Sequence, residues 1–216
     1  VTELYLVRHG ETDWNRARRI QGRTDIPLND TGRAQARTTG ELFARAAAAG
    51  RRWDAVLASP LGRARETAQI IAEVLGLPDP ELVPDVVERD YGQAEGLDFG
   101  EVDRRFPEGT PVPGRETREQ VAARVVPALV GLAQREPDRA LIVISHGGAI
   151  RSVLSSVEPE TTRGMITNGS VHSFRHVDGA LELIAFDDPI EVASIGADCV
   201  DLDEQNAVEA REDGAA

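Results

Sequence analysis

Short apolar runs alternate with longer amphipathic stretches along this chain, and the alternation itself predicts a fold. Residues 3–8 (ELYLVR), 54–58 (DAVLA) and 140–145 (ALIVIS) are brief, apolar and bounded by polar or glycine-containing sequence, the pattern of strands buried on both faces. An extended piece at 78–84, set between prolines, supplies a further short strand. Helical spacing runs through 32–49, from Ser59 to about Gly76, through 116–135 and through 149–156, with a shorter helix at 100–106. Thr31 is read as the cap of the first helix and Gly50 as its stop; Ser59-Pro60 reads as the cap and first position of the second. Residues 171–177 and 180–186 flank Asp178-Gly179, a two-residue hairpin signal. Residues 9–31 and most of 88–114 are too irregular for regular elements.

Strands alternating with helices predict an α/β three-layer sandwich: a mostly parallel sheet, helices on both faces and a late antiparallel hairpin. Residues 1–186 form one domain in this reading, and 187–216 an acidic C-terminal tail whose weak periodicity reads as partly disordered. Open sheets of this kind bind ligands beyond the carboxyl ends of their strands. Three polar clusters begin where a predicted strand stops.

Charge changes this picture little. The formal net charge is −13, but residues 187–216 hold ten acidic residues against Arg211, so the first 186 residues carry only −4. All 24 basic residues are arginine. Neither balance presents the basic face that nucleic acid requires. One cysteine, Cys199, excludes an internal disulfide and a multi-cysteine zinc site. No apolar run approaches the ~20 residues that span a bilayer, and no basic segment precedes an apolar one at the start. The expectation is a cytoplasmic protein with no nucleic-acid or membrane partner; a homodimer stays open.

The first cluster is Arg8-His9-Gly10-Glu11-Thr12, with Asn15 close behind. Alone, Arg-His-Gly arises by chance in about 4% of chains of this composition, too often to decide anything. The second runs from Ser59 to Thr67 and places Arg63 in the first turn of a helix, where the dipole disfavours a cation unless an anion is bound beside it. The third is Ser145-His146-Gly147-Gly148, again a histidine between a strand and a helix N-terminus. Two histidines and two arginines on one sheet edge describe a donor-rich pocket for a tetrahedral oxyanion, with phosphate the obvious candidate. Phosphoryl transfer needs an attacking atom, donors for the equatorial oxygens and a proton for the leaving alcohol. A neutral imidazole can attack if an acceptor holds its other nitrogen. A buried carboxylic acid suits the proton, and Glu88, Asp90, Glu95 and Glu101 all qualify by position.

The run from Leu6 to Asn15 (LVRHGETDWN) resembles the phosphohistidine signature of the histidine phosphatase (phosphoglycerate-mutase-like) superfamily. The resemblance continues through Gln21-Gly22, Asp25-Ile26-Pro27-Leu28, residues 59–67, Glu88-Arg89-Asp90-Tyr91-Gly92 and Ser145-His146-Gly147-Gly148, covering about residues 3–186 in order. It implies that His9 is phosphorylated, that Arg8, Arg63 and His146 form the phosphate pocket, and that Glu88 donates the proton. It places Asn15 and the Gly147 backbone near the phosphate and Thr12 and Gln21 at the mouth, and it counts Gln21 and Gly22 among the substrate-binding residues. It implies no metal and no cofactor, and a small phosphorylated metabolite as substrate. Between the family's branches, the 58 residues from Glu88 to His146 are fewer than the lid-bearing mutases carry, which favours a phosphomonoester hydrolase. Phosphoglycerate mutase and a non-catalytic phospho-ligand binding module are the alternatives; a metallohydrolase using His9, His146 and Glu88 is disfavoured by the neighbouring arginines. The cap over the pocket is expected at 97–114, with Arg104, Arg105 and Phe106, and Arg115 beyond; most of these arginines are expected in solvent. The turn Asn168-Gly169-Ser170 resembles a structural turn of the family.

Overall fold

Alternate residues of the central strands feed two separate cores. The computed structural model describes residues 1–161, 163–188 and 190, so Cys199 and all of the tail beyond 190 lie outside the described residues. Six strands, β1 (Thr2–Arg8), β2 (Ala55–Ala58), β3 (Glu81–Leu82), β4 (Ala140–Ser145), β5 (Val171–Val177) and β6 (Ala180–Ala185), form one sheet in the order β3-β2-β4-β1-β5-β6. β1, β2, β3 and β4 run parallel, and β5 pairs antiparallel with both β1 and β6. Five strands therefore run one way and β5 alone runs against them, the mixed sheet that the late hairpin predicted.

Leu4 and Leu6 of β1 pack on one face with Leu141 and Val143 against α5 (Arg118–Arg135) and α6 (Gly147–Val157). Tyr5 and Val7 pack on the other with Ile142 and Ile144 against α2 (Asp30–Ala48) and α3 (Gly62–Leu75). This is the alternation of a strand covered on both sides. Beyond one sheet edge, Ile20, Tyr91, Ala94, Val102 and Val112 form a third, smaller core with Leu97, Phe99 and Phe106, which carries α4 (Phe99–Arg105).

Several boundaries differ from the sequence reading for identifiable reasons. Asn29, not Thr31, caps α2 by accepting the Gly32 N–H, so the helix starts two residues early. Ser59 and Pro60 do not open α3: the helix begins at Gly62, whose N–H is held by the Asp25 carboxylate from a distant loop, and Ser59 is left for another task. The stretch 9–31 includes one short helix, α1 (Asp13–Arg16), closed by a Thr12–Asn15 capping box. The strand expected over 78–84 shrinks to two residues and then turns into a single 3-10 turn, Pro84–Val86.

Candidate active site

The parallel ladder lines up three strand ends. Arg8 lies opposite Ser145 in the β1–β4 register, and Ala58 opposite Ile144 in the β2–β4 register. The ladder runs one step past the strands, where the His9 N–H donates to the Ser145 carbonyl at 3.1 Å and the Ser59 N–H to the Ile144 carbonyl at 2.9 Å. His9, Ser59 and His146 therefore leave the same edge, as the switch between strand and helix requires in open α/β sheets. Arg8, His9, Ser59, Arg63, Glu88 and His146 are all buried.

His9 has a defined tautomer. Its Nδ1 lies 2.7 Å from the Gly10 carbonyl, which can only accept, so the proton sits on Nδ1. The lone pair is left on Nε2, where the Arg63 Nε–H reaches it at 3.2 Å. Burial first, then the charges of Arg63 and Arg8, push this imidazole well below its usual titration range, so it is neutral at pH 7. The backbone around it is clamped by Asn168, whose Nδ2 donates to the His9 carbonyl at 2.8 Å, and by Thr67, whose hydroxyl accepts the Gly10 N–H at 3.1 Å.

Arg63 is fixed through all three guanidinium nitrogens. Nη1 donates to the Thr24 carbonyl at 2.8 Å and Nη2 to the Gly22 carbonyl at 2.6 Å, leaving Nε for His9. Burial lowers it to about 10, which still leaves a full positive charge at neutral pH. Arg8 is held by the Ile166 carbonyl at 2.7 Å. The second imidazole, His146, is the N-cap residue of α6; its ring centroid is 5.1 Å from that of His9, and its Nε2 is 2.7 Å from the Ser59 hydroxyl. Burial, and then Arg63, His9 and Arg8, keep it neutral as well. Its Nδ1 is buried and has no hydrogen-bond partner among the described residues, and neither has Nε2 of the buried Gln21. Such orphaned groups in a cationic pocket mark where a ligand's acceptors belong.

Of the four carboxylates that the sequence left open, one is in place. Glu88 accepts from the N–H groups of Gly148 (3.2 Å) and Ala149 (2.9 Å) in the first turn of α6, and from Arg89 at 2.7 Å. These two helix donors stand two and three residues beyond His146. Asp90 binds the Gly92 N–H, Glu101 belongs to the capping box of α4, and Glu95 braces two loops by accepting from Arg23, Thr24 and Tyr91. Among the residues that the resemblance implies around the phosphate, Asn15 is buried in α1, with Oδ1 accepting the Thr12 N–H. Gln21 accepts from Thr12 through Oε1, and Gly147 is the first residue of α6 and buried. Gly22 contributes its carbonyl to Arg63. Arg104 and Arg105 are exposed on α4, and Arg115 is half-buried beside Tyr91.

Two residues that the sequence reading missed hold the arm that carries Glu88. Arg124 on α5 donates to the carbonyls of Asp85, Val87 and Glu88 at 2.8–2.9 Å, and to both oxygens of Glu116. Glu116 also accepts the Asp90 N–H at 2.8 Å and Arg23 at 3.2 Å. Burial would raise the Glu116 carboxyl, but these hydrogen bonds and the charges of Arg124 and Arg23 outweigh it and hold it below the usual range. Glu116 lies eight residues before Arg124 and ahead of the start of α5, so no helical spacing in the sequence points to the pair.

No group of three or more His, Cys, Asp or Glu side chains among the described residues is placed to hold a metal ion. No described helix is long and apolar enough to cross a membrane. A family model described as "Histidine phosphatase superfamily (branch 1)" matches residues 4–189. The uncharacterized phosphatase PhoE of Bacillus subtilis (strain 168) is 39% identical over 181 residues, covering 82% of this chain and 90% of its own. A protein of Arabidopsis thaliana named metal-independent phosphoserine phosphatase is 33% identical over 207 residues, covering 91% and 85%. Proteins with phosphoglycerate mutase names are also among the relatives. A solved mycobacterial glucosyl-3-phosphoglycerate phosphatase in complex with VO3 superposes with a TM-score of 0.76 at 27% identity, over 87% of this chain and 99% of its own. The chain belongs to the histidine phosphatase superfamily.

Proposed function

We propose that this enzyme is a metal-independent phosphomonoester hydrolase that works through a phosphohistidine on His9. The observation that carries the reading is the His9 tautomer: the Gly10 carbonyl holds Nδ1–H, so the nucleophilic lone pair on Nε2 faces the Arg63 guanidinium. The phosphoryl group takes its place between the two, its oxygens accepting from Arg8, Arg63 and His146, with Asn15, Gln21 and the Gly147 backbone around it. Nε2 attacks phosphorus, the ester P–O bond breaks, and the leaving alkoxide takes the proton of Glu88. An incoming dianion beside a buried carboxylate favours the protonated form that this step needs. Water then attacks the phosphohistidine, Glu88 takes up its proton, and inorganic phosphate leaves.

The charge of Arg8 and Arg63 supplies the electrostatic stabilisation that a metal gives elsewhere. Hydrolysis rather than transfer is favoured because the described residues between Glu88 and His146 are spent on α4, α5 and β4, with no further insertion to close over the pocket. The phosphatase names of the relatives favour the same branch, and a small phosphorylated metabolite is the substrate class.

The test is turnover of a chromogenic aryl phosphate in excess chelator, with rapid acid or base quench of labelled substrate. Base-stable, acid-labile label at His9 is expected, with His9→Ala losing activity by at least about a thousandfold, the scale of removing a nucleophile. Full activity in that variant, or label on another residue, overturns the mechanism. With 3-phosphoglycerate and a bisphosphate primer, release of free phosphate fits the hydrolase, and isomer without phosphate would make it a mutase.

A further inference from the structure

We propose that Ser59 is a positioning residue: its hydroxyl decides which ring nitrogen of His146 carries the proton, and the Nδ1–H so created donates to the phosphoryl group. The second half of this statement rests on the phosphohistidine reading above, and the first half does not.

A hydroxyl has one proton to give and two lone pairs to offer. Ser59 is fully buried at the end of β2, its backbone fixed by the N–H bond to Ile144. One lone pair of its oxygen faces the Leu61 N–H at 3.4 Å. Among the described residues, the one acceptor within reach of its proton is Nε2 of His146, at 2.7 Å. Were the ring instead to donate from Nε2, the proton of this fully buried serine would be left without an acceptor among the described residues, a costly arrangement. Ser59 therefore donates, and the lone pair of His146 is on Nε2.

The imidazole is neutral, because it is fully buried and faces the cationic groups Arg63, Arg8 and Arg124 as well as the His9 ring. A neutral ring has one N–H, and with Nε2 occupied that N–H is on Nδ1. Nδ1 is the atom left without a protein partner. An N–H there meets the charge that builds on the equatorial phosphoryl oxygens in the transition state; a lone pair would repel it. Ser59 does not cap α3: the backbone N–H that meets its oxygen is that of Leu61, at 3.4 Å, before the helix begins. Leu61 stands at the cap position without a side-chain bond, and Asp25 holds the Gly62 N–H in its stead.

The experiment is a long-range 1H–15N spectrum of the full chain labelled at histidine nitrogen, alongside kinetics. The chain has 4 histidines, and His146→Gln assigns the ring in question. The expected wild-type pattern is a protonated Nδ1 and a bare Nε2, with Nδ1 shifting on addition of inorganic vanadate. Ser59→Ala is expected to give a mixed or Nε2-protonated ring and to lower kcat about 10- to 100-fold, the scale for losing an outer group that orients a reacting imidazole, with KM changed far less. Ser59→Thr restores both the spectrum and most of kcat. A wild-type ring protonated on Nε2 overturns the proposal, and so does Ser59→Ala with unchanged spectrum and kcat. Should Ser59→Ala fail to fold, the wild-type and Ser59→Thr spectra still decide. The tautomer is read in the resting protein, so an Nδ1–H without any phosphoester turnover would sink the functional reading while the role of Ser59 stands.

Discussion

The floor of the pocket and the arm that brings Glu88 over it are held by opposite means. On the floor, His9, Ser59 and His146 each sit one residue past a strand, and the parallel ladder of β1, β2 and β4 sets the backbone there through consecutive hydrogen bonds. The side chains are then tied to carbonyls at short range, Arg63 to Gly22 and Thr24, Arg8 to Ile166. The arm has no ladder. From Val83 to Glu116 it consists of single turns, loops and the short α4, and its path is set by Arg124 and Glu116 gathering backbone groups from Asp85 to Asp90. A floor built on a strand ladder holds His9, His146 and the two arginines rigidly, while an arm fixed by a few side chains has more freedom to shift.

The largest effect is expected where the floor meets α2. A Cβ on Gly10 would lie 2.2 Å from the Gly32 carbonyl oxygen, and one on Gly32 2.1 Å from the Glu11 carbonyl oxygen, so the chain after His9 and the first turn of α2 touch backbone to backbone. Neither side can yield by rotating a side chain. Gly10→Ala is expected to cost more than about 3 kcal/mol in urea unfolding and more than about 100-fold in kcat/KM, because an ångström of displacement at the nucleophile suffices for that. Activity within a few-fold of wild type would break the claim that the floor is rigid.

The arm should respond differently. Arg124→Gln removes the clamp on the Glu88 backbone without touching the phosphate donors. The expected loss is about 10-fold in kcat for an alkyl phosphate, whose alkoxide needs the proton, part of the 10²–10⁴ that a general acid contributes. For an aryl phosphate with an acidic phenol the loss should be several-fold smaller. Equal losses with both substrates would mean that Arg124 supports the fold alone, and the distinction between floor and arm would lose its chemical content.

The same division explains what could be read from the chain before its structure. Strand positions and the residues that follow them are set by periodic apolar runs, so Arg8, His9, Ser145 and His146 could be assigned to one edge from pattern alone. Arg63 follows from the helical spacing after β2, which puts it in the first turn of α3. The anchors of the arm left no such trace. Arg124 lies among other arginines on an amphipathic helix, and its partners, the carbonyls of Asp85, Val87 and Glu88, carry no side-chain signature at all. Ser59 departs from its local signal for a related reason: Ser-Pro before a helix is a good capping pattern, but the Gly62 N–H is held by Asp25, a partner from a distant loop that no local pattern reveals. The choice of Glu88 over Asp90, Glu95 and Glu101 needed either the family resemblance or the coordinates, since all four stand in similar irregular sequence.

The smallest effect tests the layer behind the floor. His172 on β5 is opposite Leu6 of β1; its Nδ1 accepts the Asp187 N–H at 3.1 Å, and its Nε2–H donates to the Ser170 hydroxyl at 3.0 Å. Burial, helped by the charge of Arg151, lowers it to about 3. In the unfolded chain the same ring takes up a proton near its ordinary value of about 6.5. Between those two values the unfolded state binds a proton that the native state refuses, so stability falls as the pH falls, by about 1.4 kcal/mol per pH unit for this group. Above pH 6.5 the group contributes no slope. His9 and His146 are shifted the same way and add to it, while the raised carboxyl of Asp187 works in the opposite sense at lower pH. His172→Gln should therefore flatten the stability profile between about pH 4 and 6 by that single proton's worth, measured by urea unfolding across the range, and leave kcat at pH 7 within about twofold of wild type, the range for a change remote from the reacting atoms. A fall in kcat much beyond this would bring His172 into the chemistry of the floor rather than its support.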